Sequence, residues 1–272
     1  MSIINKINKL YRKFDGEKGV YGFSENNNPL YYFKIAKSPK PVIIVQYSIH
    51  AREFITAHLA IKQLEDFYKS GKEGSVYFLP LANPDGVKIA LSKNKLYKAN
   101  SRGVDLNLNF GAKWGTGASN KRVKGEENYI GEHPFSEKET RALRDFTFKI
   151  NPDITVSYHA KGEEIYYEFF QDKKTKKRDY KIAKKLAKTT SYAIKSTPNS
   201  AGGYKDWCVE KLKIPSFTIE VGSDKLSHPI KANHLKQIYE KNKNVIKILT
   251  KVKPKHYAKI YENRTKRGKK SL

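Results

Sequence analysis

Residues 41–47, PVIIVQY, show no alternation of apolar and polar positions, and the seven residues that follow, SIHAREF, carry an imidazole, a guanidinium and a carboxylate at His50, Arg52 and Glu53. A strand this apolar cannot be half exposed, so both of its faces must be covered. Strand and helix signals then alternate along the chain, which predicts α/β layering. YYFKIA (31–36) reads as a strand neighbouring 41–47. Ala60, Leu64, Phe67 and Tyr68 recur at helical spacing and predict a helix that ends near Gly71. SVYFLPLANPDG gives a strand running into a turn at Asn83, Pro84, Asp85 and Gly86. Residues 92–135 lack a period and are rich in Gly, Asn and Lys; an irregular stretch of that length is more often functional than idle.

Beyond it, Ser136 and Glu139 predict a capping box for a helix through Ala142, Leu143, Phe146 and Ile150. Strands are expected at 153–160, 163–170 and 216–222. Helices are expected at about 176–194, briefly after Gly203, and at about 233–252. Three apolar strands thus end in polar groups: His50 with Glu53, His159, and Glu220. In open α/β sheets, ligands collect outside the carboxyl ends of strands. Zinc in hydrolytic sites takes three protein ligands and keeps a fourth position open. His50, Glu53 and His159 would form such a set, although His-x-x-Glu alone is short and frequent by chance.

The chain has 272 residues, enough for one large α/β domain, expected over 1–252 with a basic tail at 253–272. Its net charge is +27, but only 9 of the 54 basic residues are Arg and the lysines are spread throughout. Arg-led readout of guanine or phosphate is therefore poorly supported, and a lysine-rich solvated surface is the simpler reading, with an anionic cell-wall polymer as an alternative partner. Cys208 is the one cysteine, so no intrachain disulfide forms. No stretch approaches the roughly 20 apolar residues of a membrane span. The charged first residues lack a signal-peptide core, so a cytoplasmic location is expected, with release to act on the cell wall as the alternative.

SIHAREF, LANPDGV, RGVDLNLNF, SYHAKGE, SAGGYKDW and IPSFTIEVG stand in the order and approximate spacing of the zinc metallocarboxypeptidase family, from about residue 29 to 250. The wording of YKANSRGVDLN and GGYKDW resembles the bacterial branch that includes γ-D-glutamyl-diaminopimelate peptidases. The resemblance implies an α/β/α sandwich around a mixed, twisted sheet and one Zn²⁺ per chain on His50, Glu53 and His159. It implies Glu220 as general base and acid, and Asp105 as the carboxylate that hydrogen-bonds His50 and fixes its tautomer. Arg52 and Lys98 match positions of cations beside the substrate carbonyl, where positive donors stabilise an oxyanion. Asn107 matches a contact to the substrate carboxylate.

The match breaks at two places. Leu108 occupies the position of the family's Arg, the clamp on a free C-terminus, and Leu forms no bidentate carboxylate pair. Pro198 falls where the family has a mobile Tyr. Lys205 falls at the floor of the specificity pocket, where a cation favours an acidic group, unless it is simply surface-exposed. Lys161 and Glu163, next to His159, are further candidates for gripping a diamino acid side chain. The expected activity is zinc-dependent hydrolysis of murein stem peptides at the γ-D-glutamyl-diaminopimelate bond. A carboxypeptidase is the alternative within enzymes, and a non-catalytic binder of anionic wall polymer or nucleic acid the alternative outside them.

Overall fold

The computed structural model describes residues 1–252; the basic tail expected at 253–272 lies outside the described residues. In chain order its elements are α1 (Ile3–Lys13), β1 (Lys18–Phe23), β2 (Pro29–Ala36), β3 (Val42–Tyr47), α2 (Ile55–Ser70), β4 (Ser75–Leu79), α3 (Pro84–Ser92), α4 (Lys138–Ile150), β5 (Ile154–His159), β6 (Glu164–Tyr166), α5 (Lys173–Thr190), β7 (Ala193–Ile194), α6 (Tyr204–Trp207), β8 (Ser216–Glu220), α7 (Leu235–Asn242) and α8 (Val245–Thr250).

The eight strands form one sheet in the order β1-β2-β4-β3-β5-β8-β6-β7. Its centre, β4-β3-β5-β8, is parallel, with antiparallel pairings of β2 to β4 and β6 to β8 at its sides. The period of two sorts the central residues. Ile43, Val45, Tyr47, Val156, Tyr158, Phe217 and Ile219 pack against the layer holding α2, α5, α7 and α8. Ile44 and Leu79 face the other layer, with Leu143 and Phe146 of α4 and Tyr204 and Trp207 of α6. This is the expected α/β/α sandwich with a mixed sheet.

Several local expectations are corrected. β2 and β3 are not neighbours: β4 lies between them, because the β3-α2-β4 crossover lays β4 parallel to β3 and β2 then pairs on its other side. Asn83 to Gly86 is not a free turn but the start of α3. The Asn83 side chain accepts from Gly86 N at 2.9 Å, and Pro84 fits the first helical turn, where its missing N–H is harmless. The capping box at Ser136 does not form; Glu137 is the N-cap, and Ser136 Oγ donates to Glu137 Oε1 at 2.7 Å. Tyr68 leaves the apolar face, 41% exposed, its hydroxyl donating to Asp15. The strand expected at 163–170 is confined to β6, and residues 193–194, expected in a helix, form β7.

The last expected helix is two. The Asn242 carbonyl accepts from Gln63 Nε2 of α2 at 2.9 Å, which takes it out of the helical ladder between α7 and α8. At the other end of the chain, α1 was unforeseen. Ile3 and Ile7, one turn apart, are buried against Ala57, Leu81 and Val87, and Ser2 caps the helix through Asn5 N.

Candidate active site

The chain leaves β3 through Ser48, whose φ of 54° turns the backbone, and residues 51–53 then form a 3₁₀ turn. That turn brings a His and a Glu three residues apart onto one point: His50 Nδ1 lies 2.8 Å from Glu53 Oε1. β5 runs parallel to β3 with Tyr47 beside Tyr158, so the next residue, His159, arrives at the same level. Its Nδ1 is 3.1 Å from Glu53 Oε2 and 3.2 Å from His50 Nδ1. All three side chains are buried. Glu220 ends β8 directly beside His159 in register.

Zinc fits this set. Tetrahedral ligands with bonds of about 2.0–2.2 Å lie roughly 3.3 Å apart, close to the separations of 2.8 to 3.2 Å seen among these three ligand groups. The second nitrogen of His50, Nε2, contacts Asp105 Oδ1 at 3.1 Å. An acceptor there would keep the proton on Nε2 when a metal displaces the one on Nδ1, whose lone pair then faces Glu53 and His159. Asp105 is itself held: Lys98 Nζ contacts Oδ2 at 2.7 Å and also donates to Asn128 Oδ1 at 2.7 Å.

The charges of the site reinforce one another. Burial opposes charging His50, yet the Glu53 and Asp105 carboxylates outweigh it and hold its pKa up to about 9. Burial likewise raises Glu53 and Asp105. His50 and His159 hold Glu53 far below the usual carboxylate range, and Lys98 and His50 do the same for Asp105. His159 is lowered by burial. Glu220 is pushed well above the ordinary carboxylate range, by burial and then by the neighbouring Glu53 charge. A carboxylate so placed holds a proton more readily than a solvated one.

Arg52 stands at the rim, its guanidinium on Glu127 at 3.2 Å and on the Leu96 carbonyl, with Nε buried and without a protein partner. Lys98 reaches the metal set through Asp105. Asn107 follows two residues later; its N–H bonds Asp105 and its Oδ1 accepts from Tyr204 N at 3.1 Å. Leu108 lines a cavity of about 240 Å³ with Ala118, Asn120 and the 197–201 loop that carries Pro198. Lys205 is buried, so the surface-exposed alternative is corrected. Its ammonium sits on Asp206 Oδ1 at 2.5 Å and on the Glu168 carbonyl, over the Phe169 ring.

Lys161 donates to the Asp224 carbonyl at 2.6 Å. Glu163 pairs with Lys241 of α7 at 2.6 Å, so its carboxylate is engaged on the helical layer. His228 is a residue that sequence reasoning left without a role. Burial lowers its pKa, and the charges of Glu53, Arg52, Lys161 and His50 also act on it. A single His in SHPI, outside any strand, gives no signal of this. A second close carboxylate set, Glu25, Glu137 and Glu139, is satisfied internally by Asn100, Ser136 and the Glu25 N–H.

The family model described as zinc carboxypeptidase matches residues 15–245. The chain belongs to the zinc carboxypeptidase family. As a member of that family it is a zinc metallopeptidase. The chain is 28% identical over 275 residues to gamma-D-glutamyl-L-diamino acid endopeptidase 1 of Lysinibacillus sphaericus, covering 88% of this chain and 68% of that one. It spans 57–63% of the length of the mammalian carboxypeptidases it matches. In fold it is similar to bovine thrombin-activatable fibrinolysis inhibitor, solved in complex with tick carboxypeptidase inhibitor, with a TM-score of 0.81 and 22% identity over 96% of this chain and 98% of that one. It is also similar to the murein-tripeptide amidase MpaA of Escherichia coli O157, with a TM-score of 0.63 and 23% identity over 91% of this chain and 97% of that one.

For this zinc carboxypeptidase family member, the Asp105 contact predicts a graded effect. Asp105→Asn is expected to weaken zinc binding about 10- to 100-fold without changing the number of sites. Titration against a chromophoric chelator measures it. Unchanged affinity would show that Asp105 only neutralises Lys98.

Proposed function

We propose that this chain hydrolyses peptidoglycan stem peptides at the bond between the γ-carboxyl of D-glutamate and the diamino acid. The observation that carries the peptidase part is the buried convergence of His50, Glu53 and His159 with Glu220 in register beside them. The substrate part is supported by the relative named as a gamma-D-glutamyl-L-diamino acid endopeptidase. Leu108 supports it further: no cation stands at that position to clamp a free C-terminus.

His50 and His159, through Nδ1, and Glu53, through its carboxylate, would hold the metal. When bound, zinc supplies Lewis acidity toward water and toward a carbonyl. Glu220 takes the proton of the attacking water and returns it to the leaving amine. Its raised affinity for a proton favours the uptake step. Arg52 offers positive charge at the rim to the developing oxyanion. Lys98 keeps Asp105 charged, and Asp105 keeps the His50 proton on Nε2. Lys205 is the candidate for the acidic end of the diamino acid side chain. Its ammonium, already shared with Asp206 and a carbonyl, is fixed in position before substrate arrives.

Digestion of defined murein tri-, tetra- and pentapeptides by the zinc-loaded chain, read by mass spectrometry, tests the reading. Release of L-Ala-γ-D-Glu from all three is the expected result. Loss of the terminal residue alone would identify a carboxypeptidase despite Leu108, and no cleavage by protein with zinc bound would reject a murein substrate.

A further inference from the structure

Among the described helices, α5 carries the largest concentration of one charge sign. Its 18 residues include eight lysines, all exposed: Lys173, Lys174, Lys176, Lys177, Lys181, Lys184, Lys185 and Lys188. Lysines at the N-terminus of a helix oppose its dipole, and like charges four apart repel. The N-cap Asp172, which accepts from Thr175 N at 2.8 Å, offsets the first effect, but the first turn itself contains no acidic residue, and 173/177, 177/181, 181/185 and 184/188 are all lysine pairs. Among the described residues, Lys176 alone of the eight has a carboxylate partner, Glu168. Around α7 and α8 the charges are mixed: Lys247 of α8 meets Asp66 of α2, and Lys243 meets Glu240. A surface serving solubility alone gains nothing from concentrating one sign on one helix.

Geometry turns these lysines into a track. At 100° per residue, positions 174, 177, 181, 184, 185 and 188 fall within a sector of about 100°, and from 174 to 188 they extend about 21 Å along the axis. The opposite face is fixed in the core by Ile182, Ala183 and Leu186. The track ends near the catalytic edge. After α5 the chain enters β7, where Ala193 pairs with Glu164, and Glu164 pairs with Glu220.

We propose that the solvent face of α5 is a docking surface for a linear polyanion with regularly spaced phosphodiesters and no bases, of the polyol phosphate type found in cell walls. Charge complementarity along one line selects a linear polymer over a compact anion. Lysine ammoniums neutralise phosphates as point charges and lack the planar fork of Arg. Nucleic acid would further call for aromatic platforms on which bases stack. The one aromatic exposed on α5, Tyr180, has its ring against Tyr167 and under the Lys184 ammonium. A membrane surface would call for an apolar face free to insert, and that face of α5 is buried. This inference stands independently of the scissile bond proposed above.

The test compares two fourfold variants of the full chain, both changed from Lys to Gln. One carries the changes at Lys177, Lys181, Lys184 and Lys188; the other carries them at Lys9, Lys69, Lys93 and Lys231, which are also exposed. Binding to fluorescent poly(glycerol phosphate) is followed across a salt series. Each neutralised phosphate on a flexible strand contributes about 0.7 to the slope of log K against log salt. The α5 variant is expected to lose about 3 from that slope, and at least tenfold in affinity at low salt, while melting no lower than the parent because repulsion has been relieved. The control variant should stay near the parent. Equal losses in both variants would reduce the effect to net charge and overturn the proposal. So would tighter binding of single-stranded DNA of the same length, or of anionic vesicles, through the same lysines.

Discussion

Glu220→Gln is expected to lower turnover of the murein peptides about 10²- to 10⁴-fold while one zinc per chain is retained. The separation of the two readouts follows from where Glu220 stands. It is beside His159 in the sheet, but the ligand atoms that converge belong to His50, Glu53 and His159. Gln keeps the volume and one oxygen acceptor and removes only the ability to carry a proton. A general base or acid contributes roughly that factor, or about 3–5 kcal/mol of barrier. The position is also one where a charged carboxylate is held at a cost, next to the Glu53 charge and partly shielded from water. A group kept there for structure alone would be improved by neutralisation. Metal analysis and peptide mass spectrometry on the same preparation decide the matter. Loss of zinc would make Glu220 part of the metal set, and undiminished turnover would remove it from the chemistry.

The candidate site was legible in part because its residues lie at the ends of regular elements. A run of apolar residues cannot continue into His, Arg and Glu unless the strand has reached its end. Parallel pairing of β3, β5 and β8 then brings those ends level. Apolar runs ending in polar groups were enough to mark His50, Glu53, His159 and Glu220 as strand-end residues; the family resemblance joined them into one candidate site. The order of strands was not legible in the same way, since a strand's sequence records that its faces are covered but not which strand lies beside it. Hence β4 between β2 and β3 was missed.

What holds the set in place was less visible. Lys98, Asp105 and Asn128 come from the irregular stretch, where no periodicity ties a side chain to a direction. The resemblance located Lys98 and Asp105 but not the ion pair between them. The division of the last helix coincides with a tertiary hydrogen bond from the distant Gln63 to the Asn242 carbonyl. The surface of α5 gives the opposite case. Its lysines were visible as a run, but only the fold separates a face without acids from a charge-rich helix that pairs with its neighbours.

Glu139→Gln should stabilise the protein at pH 8 and leave it nearly unchanged at pH 4.5. Glu139 begins α4 and is buried, accepting from Glu25 N at 3.1 Å. Burial first, with the carboxylates of Glu25 and Asp85 adding to it, raises its pKa from 4.5 to about 7. Because the folded pKa exceeds the unfolded one, the native state binds more protons between these values. The stabilisation from this group is complete below about pH 4.5 and is lost as the pH rises through about 7. Above that, folding must bury an ionised carboxylate. A permanently neutral amide keeps an oxygen for the Glu25 N–H and escapes that loss, which amounts to about 3 kcal/mol at 1.36 kcal/mol per unit. Urea unfolding of both proteins at several pH values measures it, since every other titrating group contributes equally to the two and cancels in the difference. A difference that does not grow between pH 5 and 8 would mean that Glu139 ionises as an ordinary carboxylate. One that grows with the opposite sign would mean that the native state holds the charged form, through a cation shared with Glu25 and Glu137.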